Sequence, residues 1–383
     1  MNKKWLIFGG GGAAVLLVII LSVAYFVMAN QHKPEKTVAA FNEAVKEDDL
    51  STLKEMIEPD EKGAKVNKKS LSAFTSYLKE NNESYQVIKD GFKEQIENED
   101  FTPSSAQVSL VSDGKTLGMF PNFKLNVETV NVKVKGAEDD NDISLAIEGF
   151  DKPLEEVEED ENIYGPLIPG EYNVEATVQN ELGEFEKDED TEVSGDTEVS
   201  FLIDNEELVR DDENIQKDIV NAANEFNENM SVYVTSGFDT NEFTNVSDEL
   251  KESLDLYDTK GDFEMIKEYI EKIESQFLKS IVNMDEMDMS QFDGDWQTEV
   301  SMIVSYDEKM KLEGTGSEDL SHTVLRNFWL IYDADEEKWV VDDVMDEDAK
   351  ESDADSWDEK EEIEVDDPPV RKWKKDGKDD SFI

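Results

Sequence analysis

The N-terminal stretch has the strongest hydrophobic pattern in the chain. It runs from Trp5 to Ala29 without a charged residue, and in an α-helix that length crosses a hydrocarbon core of about 30 Å. Trp5 and Tyr25 lie near its two ends, where aromatic rings favour the membrane interface. The pattern predicts a single membrane-spanning helix over residues 5–29. Because two lysines precede it, we expect residues 1–4 on the cytoplasmic side and the rest of the chain outside the cell.

A cleaved signal peptide is the alternative interpretation of this stretch. The segment Val27-Met28-Ala29 has some of the small-residue character of a cleavage site. The apolar run, however, is longer than the central region of a usual signal peptide, and bulky Tyr25 and Phe26 come just before the segment. We therefore expect an uncleaved anchor.

Residues 34–99 follow the period of an α-helix. Apolar residues recur there every three or four positions, for example over residues 41–45 and 71–78. Pro59 and Gly63 interrupt the pattern after its first part. The stretch predicts a small helical bundle directly after the membrane anchor.

From about residue 101 the hydrophobic period shortens to two. Val130, Val132 and Val134 alternate with polar residues, as in a half-buried antiparallel strand. Acidic and glycine-containing turns divide this region. We interpret it as two small β modules, over residues 101–150 and 160–205.

The C-terminal part combines both periods. A long helix is predicted from Ile215 and Phe226, which lie on one apolar stripe. Further elements follow in order, with helices at 246–256 and 263–278 and strands at 296–312, 320–332 and 339–341. Helices followed by long strands indicate an α+β domain over residues 211–345. The acidic segment 346–383, which ends near a basic patch at 371–375, is predicted to be disordered.

Charge and cysteine content exclude several classes of function. The 37 Lys and Arg residues against 95 Asp and Glu residues give a formal net charge of −58, which repels nucleic acid. This charge is explained either by solubility in a salty exterior or by binding of cations or basic partners. The chain has no cysteine, so disulfides, thiolate metal sites and a cysteine nucleophile are excluded. An exported chain without disulfides is typical of a Gram-positive surface.

Several segments together resemble the TcaA family, the teicoplanin-resistance-associated membrane proteins of Gram-positive bacteria. They are residues 37–57, 114–127, 165–172 with 180–183, and 330–344, which include the motifs Gly-Pro-Leu-Ile-Pro-Gly-Glu-Tyr and Lys-Trp-Val-Val-Asp. The resemblance implies an NTF2-like domain at the C-terminal end. Family members typically carry a cytosolic zinc ribbon before the membrane helix, whereas here four residues precede Trp5. The fold expected is therefore α+β multidomain: membrane helix, helical bundle, two β modules and an NTF2-like domain.

One strand of the predicted NTF2-like domain carries the candidate ligand-pocket residues. They are His322, Arg326, Phe328, Trp329 and Tyr332, with core packing as the alternative role for the aromatic ones. NTF2-like enzymes usually hold an acid/base pair in the mouth of the fold, so His322 with a nearby aspartate is the catalytic alternative. We expect no catalytic residue.

Three acidic runs contain the carboxylates that calcium prefers: residues 138–142, 285–288 and 293–295. None matches an EF-hand loop, and such runs are more often solvated loops. We therefore predict no metal site and no cofactor.

The resemblance and the residue patterns lead to one functional expectation. The chain is predicted to be a non-catalytic, membrane-anchored extracellular protein of the Gram-positive cell envelope. It is expected to bind cell-wall material, peptidoglycan or teichoic acid, or to take part in the response to glycopeptide antibiotics. The alternative is a membrane sensor or scaffold that acts through a protein partner.

Overall fold

The computed structural model of the 383-residue chain describes residues 4–104, 106–137, 141–158, 161–195, 197–292 and 294–375. The chain divides into two compact units. Unit 1 contains the residues up to Gln179 together with Glu186–Ile203. Unit 2 contains Asn180–Phe185 together with the residues from Asp204 onward.

The N-terminal hydrophobic stretch forms a helix, α1 (Lys4–Gln31). Most of its described side chains are exposed, with Phe26 at 72%. Over the described residues, no single helix has the length and hydropathy of a membrane span. The segments Leu16–Gln31 and Pro34–Glu47, bent by 52°, together reach that length and composition. Residues 5–29 are helical as predicted, whereas their role as a single membrane span stays a prediction, which the bent pair supports only weakly.

Four helices follow in unit 1 and form the predicted bundle: α2 (Pro34–Glu47), α3 (Leu50–Met56), α4 (Lys68–Glu80) and α5 (Asn82–Asn98). Asp49 and Asn67 cap α3 and α4, because their side chains accept hydrogen bonds from backbone N–H groups of the first turn. Phe41, Phe74 and Phe92 are fully buried and lie face to edge or tilted against each other in the centre of the bundle.

The bundle extends beyond the predicted boundary at residue 99. Three strands complete it: β1 (Ile57–Pro59), β2 (Val108–Thr116) and β3 (Phe120–Val127). β3 pairs in parallel with β1 and antiparallel with β2, so that Leu125 lies opposite both Ile57 and Leu110. The boundary at residue 99 is therefore wrong, because the hairpin β2–β3 shares its core with the helices.

The remaining strands of this region are β4 (Val130–Lys135), β5 (Asp142–Ile147), β6 (Glu155–Glu158), β7 (Ile163–Leu167), β8 (Gly170–Asn180), β9 (Gly183–Val193) and β10 (Glu198–Leu202). They form two sheets, with strand orders β10-β4-β7-β6 and β5-β8-β9. Each sheet combines strands from before and after residue 150. The division into modules at 101–150 and 160–205 is therefore wrong, since the strands alternate between the sheets along the chain.

Unit 2 is α+β as predicted. Its helices are α6 (Asn205–Arg210), α7 (Glu213–Thr235), α8 (Asp248–Leu256) and α9 (Thr259–Ile266). Its strands begin with β11 (Ile270–Asn283), β12 (Asp288–Phe292), β13 (Asp295–Leu312), β14 (Ser317–Asp319), β15 (His322–Asp333) and β16 (Lys338–Asp348). The long helix α7 packs on a sheet in which β16, β15, β13 and β11 are neighbours in that order.

The helix predicted over residues 263–278 is wrong beyond Ile266. Phe263, Ile266, Ile270, Ile273 and Phe277 are spaced by three and four residues, as on a helix face. In the structure a register shift between β11 and β13 lies just after Ile270. In a regular strand, residues three apart point to opposite faces, but the shift places Ile270 and Ile273 on the same buried face. The strand therefore shows the three-residue spacing that is typical of a helix.

The segment after residue 345 is ordered as far as residue 375, in contrast to the prediction of disorder. It continues β16 and then forms a 3₁₀ helix (Glu351–Ser356), β17 (Lys360–Glu364) and β18 (Arg371–Lys374). Both strands pair antiparallel with β11, whose backbone N–H and C=O groups would otherwise be an open edge. Trp373 packs at 5.1 Å from Phe263. Residues 376–383 lie outside the described residues.

Candidate functional site

Strand β15 separates the predicted pocket residues onto two faces. Arg326 and Phe328 are buried on the face that α7 covers, and Tyr332 has the same parity along the strand. Trp329 points to the opposite face and is only partly buried. The five predicted residues therefore do not line one pocket.

Arg326 is the centre of a buried polar network under α7. The residue is 2% exposed, and its guanidinium donates to both carboxylate oxygens of Asp346, at 2.6 and 2.7 Å. It also donates to Asn227 Oδ1 at 2.8 Å and to the Tyr306 hydroxyl at 3.0 Å. The Tyr306 hydroxyl in turn donates to the Asn227 backbone carbonyl. The Phe226 ring lies 5.5 Å from the Arg326 Cζ atom.

This environment keeps Arg326 charged and Tyr306 neutral. Burial by itself lowers the pKa of Arg326, but Tyr306 and the Asp346 carboxylate outweigh it, so the pKa of the guanidinium rises above its usual value. Burial raises the pKa of Tyr306 to about 12, although Arg326 opposes this shift. As a charged donor, the guanidinium makes four hydrogen bonds to protein atoms. Phe328 is fully buried beside it, with its ring at 5.7 Å from Phe226, and acts as core.

His322 lies at the rim of the network. Its ring stacks on Tyr306 at 5.3 Å, its side chain is 42% exposed, and its Nδ1 lies 3.8 Å from Glu308 Oε2. The other oxygen of Glu308 accepts a hydrogen bond from the buried Ser275 hydroxyl at 2.7 Å. The catalytic alternative pairs His322 with an aspartate. The acidic residue next to His322 is instead Glu308, which already accepts a hydrogen bond from Ser275.

Trp329 borders an acidic groove on the opposite face of the sheet. Its indole Nε1 donates to Glu299 at 2.7 Å. The groove has a volume of about 300 Å³, and its lining also includes Asp288, Asp342 and Asp343. Such a surface repels anionic ligands.

Tyr332 lines a different cavity, next to α7, which we call the Tyr332 cavity. It has a volume of about 330 Å³. Its apolar lining consists of Leu182, Ile215, Ala222, Tyr332 and Trp339, and its polar lining of Asp218, Asn221, Glu225, Asn245, Glu337 and Lys338. The Tyr332 and Trp339 rings lie 5.5 Å apart at 63°. Burial and the neighbouring carboxylate of Glu337 raise the pKa of Tyr332.

Two buried polar atoms in the lining of this cavity have no hydrogen-bond partner among the described residues. They are the Asn245 Oδ1 acceptor and the Trp339 Nε1 donor, in side chains of residues that are 3% and 4% exposed. The Asn245 Nδ2 group is bonded to the Ala222 carbonyl, which fixes the amide. A buried unmet donor or acceptor costs roughly 1–3 kcal/mol. Two residues of the cavity lining therefore carry an unmet polar atom each, one acceptor and one donor.

The acidic runs are not arranged for a metal ion in the described part of the chain. No group of three or more histidine or acidic side chains there is placed to hold one. Asp285 instead accepts hydrogen bonds from the backbone N–H groups of Asp358 and Glu359. Residues 138–140 and Asp293 of the other two runs lie outside the described residues.

Comparison with known proteins identifies the two ends of the described fold. The family model for the TcaA protein second domain matches residues 34–127, and that for the YvbJ NTF2-like domain matches residues 219–345. The chain is TcaA-like, with a C-terminal NTF2-like domain. The first match coincides with the helical bundle and its hairpin, so it supports the boundary at residue 127 that the strand pairing indicates. The predicted resemblance is confirmed.

A curated relative agrees with this assignment. The chain is 26% identical over 186 residues to an uncharacterized membrane protein, YvbJ, of Bacillus subtilis strain 168. The match covers 48% of this TcaA-like chain and 29% of the relative, so it spans less than a third of the relative's length. No solved structure matches the chain. Together with the hydrophobic helix α1, these matches support a membrane-associated protein.

Sequence reasoning missed several residues of the NTF2-like domain that matter most. Asn227 and Tyr306 reach Arg326 from α7 and β13, and Asp346 reaches it from β16. Asp346 lies directly opposite Arg326 in the β15–β16 register, but the sequence pattern assigned it to the tail. Asn245 stands in a loop without periodicity. Trp339 was predicted only as part of a short strand at 339–341.

Proposed function

We propose that this chain is a non-catalytic, membrane-anchored protein of the Gram-positive cell envelope. In this proposal α1 is the anchor, the following domains lie outside the cell, and the NTF2-like domain holds wall material in the Tyr332 cavity. The TcaA-like and YvbJ-like matches support the envelope location. A role in the response to glycopeptide antibiotics follows from the family resemblance and belongs to the same proposal.

The Tyr332 cavity is the observation that carries the proposal. Its unmet Asn245 acceptor and Trp339 donor match the N–H and C=O of one secondary amide. Apolar side chains around them suit the small methyl group of an acetamide. Both the acetylated sugars and the peptides of peptidoglycan supply such amides. In the cavity lining Asp218, Glu225 and Glu337 outnumber Lys338, which disfavours the phosphates of teichoic acid.

The Arg326 network argues for binding in place of catalysis. Where an NTF2-like enzyme would keep an open acid/base pair, the space under α7 contains the Arg326 guanidinium with four hydrogen bonds. The His322 ring lies outside this space, stacked on Tyr306. A general base must approach the reacting proton within hydrogen-bond distance, and the filled interior leaves His322 only a position at the rim.

Sedimentation with purified peptidoglycan tests the proposal. The full chain in detergent micelles is expected to pellet with insoluble peptidoglycan and to be released by soluble fragments that contain N-acetyl groups. Tyr332→Ala is expected to weaken retention by about tenfold, the equivalent of one lost contact of roughly 1.4 kcal/mol. Trp329→Ala, on the opposite face of the same strand, is the matched control and should leave retention unchanged. An unretained chain would refute wall binding, and equal effects of both variants would refute the Tyr332 cavity.

The alternative function is a membrane sensor or scaffold acting through a protein partner. One observation favours it: four consecutive glycines, Gly9 to Gly12, lie in the anchor helix, and small residues let membrane helices approach closely. Replacement of residues 5–29 by an unrelated hydrophobic anchor distinguishes the two functions. If the replacement changes the sensitivity of the cells to glycopeptide antibiotics but leaves retention of the protein on peptidoglycan unchanged, the scaffold function is supported.

A further inference from the structure

The tip of the β2–β3 hairpin in unit 1 is apolar and open to the surroundings. Leu117 is 71% exposed and Met119 is 63% exposed, and they flank Gly118 in the turn. Leu117 has a φ of +53°, a left-handed conformation in which glycine, asparagine or aspartate is usual. A turn surrounded by water would be expected to carry one of those polar or small residues at this position.

The same hairpin packs against the outer end of α1. Phe120, directly after the tip, is 4% exposed because two rings of the N-terminal segment cover it. The Tyr25 ring lies 5.2 Å away and the His32 ring is stacked on it at 5.7 Å. The apolar tip is therefore adjacent to the last two turns of the anchor helix.

The depth of this contact follows from helix geometry. A hydrocarbon core of about 30 Å takes about 20 helical residues, so a span that starts at Trp5 ends near Tyr25. Tyrosine prefers this interfacial depth. Because Phe120 contacts the Tyr25 ring, Leu117 and Met119 lie level with the boundary between lipid headgroups and acyl chains. The exposed amine of Lys115, at the base of the tip, has the reach to pair with lipid phosphates.

We propose that the β2–β3 hairpin is a second membrane contact, in which Leu117 and Met119 insert into the outer leaflet beside α1. The inference rests on the proposed role of α1 as a membrane span. Its occupant is the lipid bilayer, since the patch continues the surface of the anchor helix and apolar side chains with a flanking lysine suit the interface. Two contact points fix how unit 1 is oriented on the membrane, which one flexible connection to a helix would not.

The absence of cysteine in the chain makes the test direct. Single-cysteine variants of the full chain are labelled with a polarity-sensitive fluorophore and reconstituted into phosphatidylcholine vesicles. Leu117→Cys reports on the hairpin tip and Phe26→Cys on the anchor. Leu202→Cys, at an apolar position of unit 1 that is 64% exposed on β10, is the matched control. Lipids with a spin-label quencher near the headgroup end of the acyl chain, and aqueous iodide, are added in parallel.

The expected result is lipid quenching of the labels at positions 117 and 26, at least about twofold stronger than at position 202, with the opposite order for iodide. Position 26 quenched by lipid while position 117 behaves like position 202 would overturn the hairpin contact and leave the anchor intact. A label at position 26 that only iodide quenches would refute the membrane span, and the hairpin contact with it.

Discussion

Removal of the negative charge from Asp346 tests the buried network of the NTF2-like domain most directly. Asp346→Asn keeps the size of the side chain but leaves the Arg326 guanidinium, with its side chain 3% exposed, without a counter-ion. Asn227 and Tyr306 remain as neutral acceptors at 2.8 and 3.0 Å. The variant therefore converts a paired buried cation into an unpaired one.

The size of the effect follows from the geometry of the pair. Breaking a buried ion pair by removing one partner costs about 3–5 kcal/mol. Because the Asp346 side chain is 42% exposed, water replaces part of the lost interaction, and we expect about 3 kcal/mol. Arg326→Met leaves the oxygens of Asn227 and Tyr306 short of a donor and should cost roughly 2–3 kcal/mol. The double variant should cost about 2 kcal/mol less than the sum, because no lone buried charge remains.

Urea unfolding followed by tryptophan fluorescence measures these free energies. Every tryptophan other than Trp5 lies in unit 2, so the signal reports on this domain. Glu336→Gln is the control, since the ion pair of Glu336 with Lys338 is exposed and should contribute less than about 1 kcal/mol. Additive costs of the two single variants, within about 0.5 kcal/mol, would show that Arg326 and Asp346 are not coupled and would refute this account of the network.

Three further predictions concern other parts of the protein. Tyr306 keeps its proton up to pH about 12 when folded but only to about 10 when unfolded, so stability should fall by up to roughly 3 kcal/mol as pH rises between these values. Tyr306→Phe should be less stable than the unmodified protein at neutral pH, but should lose less unfolding free energy as the pH rises from about 10 to about 12, as measured by urea titrations. Phe74→Ala, at a fully buried ring, should destabilise the TcaA second domain by about 3–5 kcal/mol, whereas Val87→Ala, 67% exposed, should not, as measured by hydrogen exchange. Trp373→Ala removes the contact with Phe263 and should speed hydrogen exchange in β18 and its partner segment of β11, whereas exposed Arg371→Ala on the same strand should not.

Local periodicity determined those elements that bury one face over a long stretch. The long strands β13 and β15 were predicted close to their observed bounds, and α7 was predicted as a long helix, because each repeats its apolar residues along one face. The N-terminal helix α1 followed from the absence of charge between Trp5 and Ala29. The resemblance to TcaA predicted the families of the two domains that the models later matched. Periodicity alone predicts helices and strands, but not a family.

The pairing of strands distant in the chain was decided by the tertiary structure. β1 joins β3, and β10 joins β4, although alternation tells only that a residue faces inward and not which strand lies beside it. For the same reason the sequence did not predict that the segment after residue 345 forms strands. Its acidic composition resembles that of disordered chains, yet β17 and β18 are held by the open edge of β11.

The candidate site shows the same division between sequence and structure. The sequence placed His322, Arg326, Phe328, Trp329 and Tyr332 together as pocket residues of one strand, but side chains alternate between the two faces of β15, so Trp329 points away from Arg326 and Phe328. The sequence did not show that Asp346 lies opposite Arg326, or that Asn245 and Trp339 meet at the Tyr332 cavity. A buried charge or an unmet polar atom is a property of the packed interior, where groups distant in the chain share one low-dielectric environment. Only the fold creates that environment.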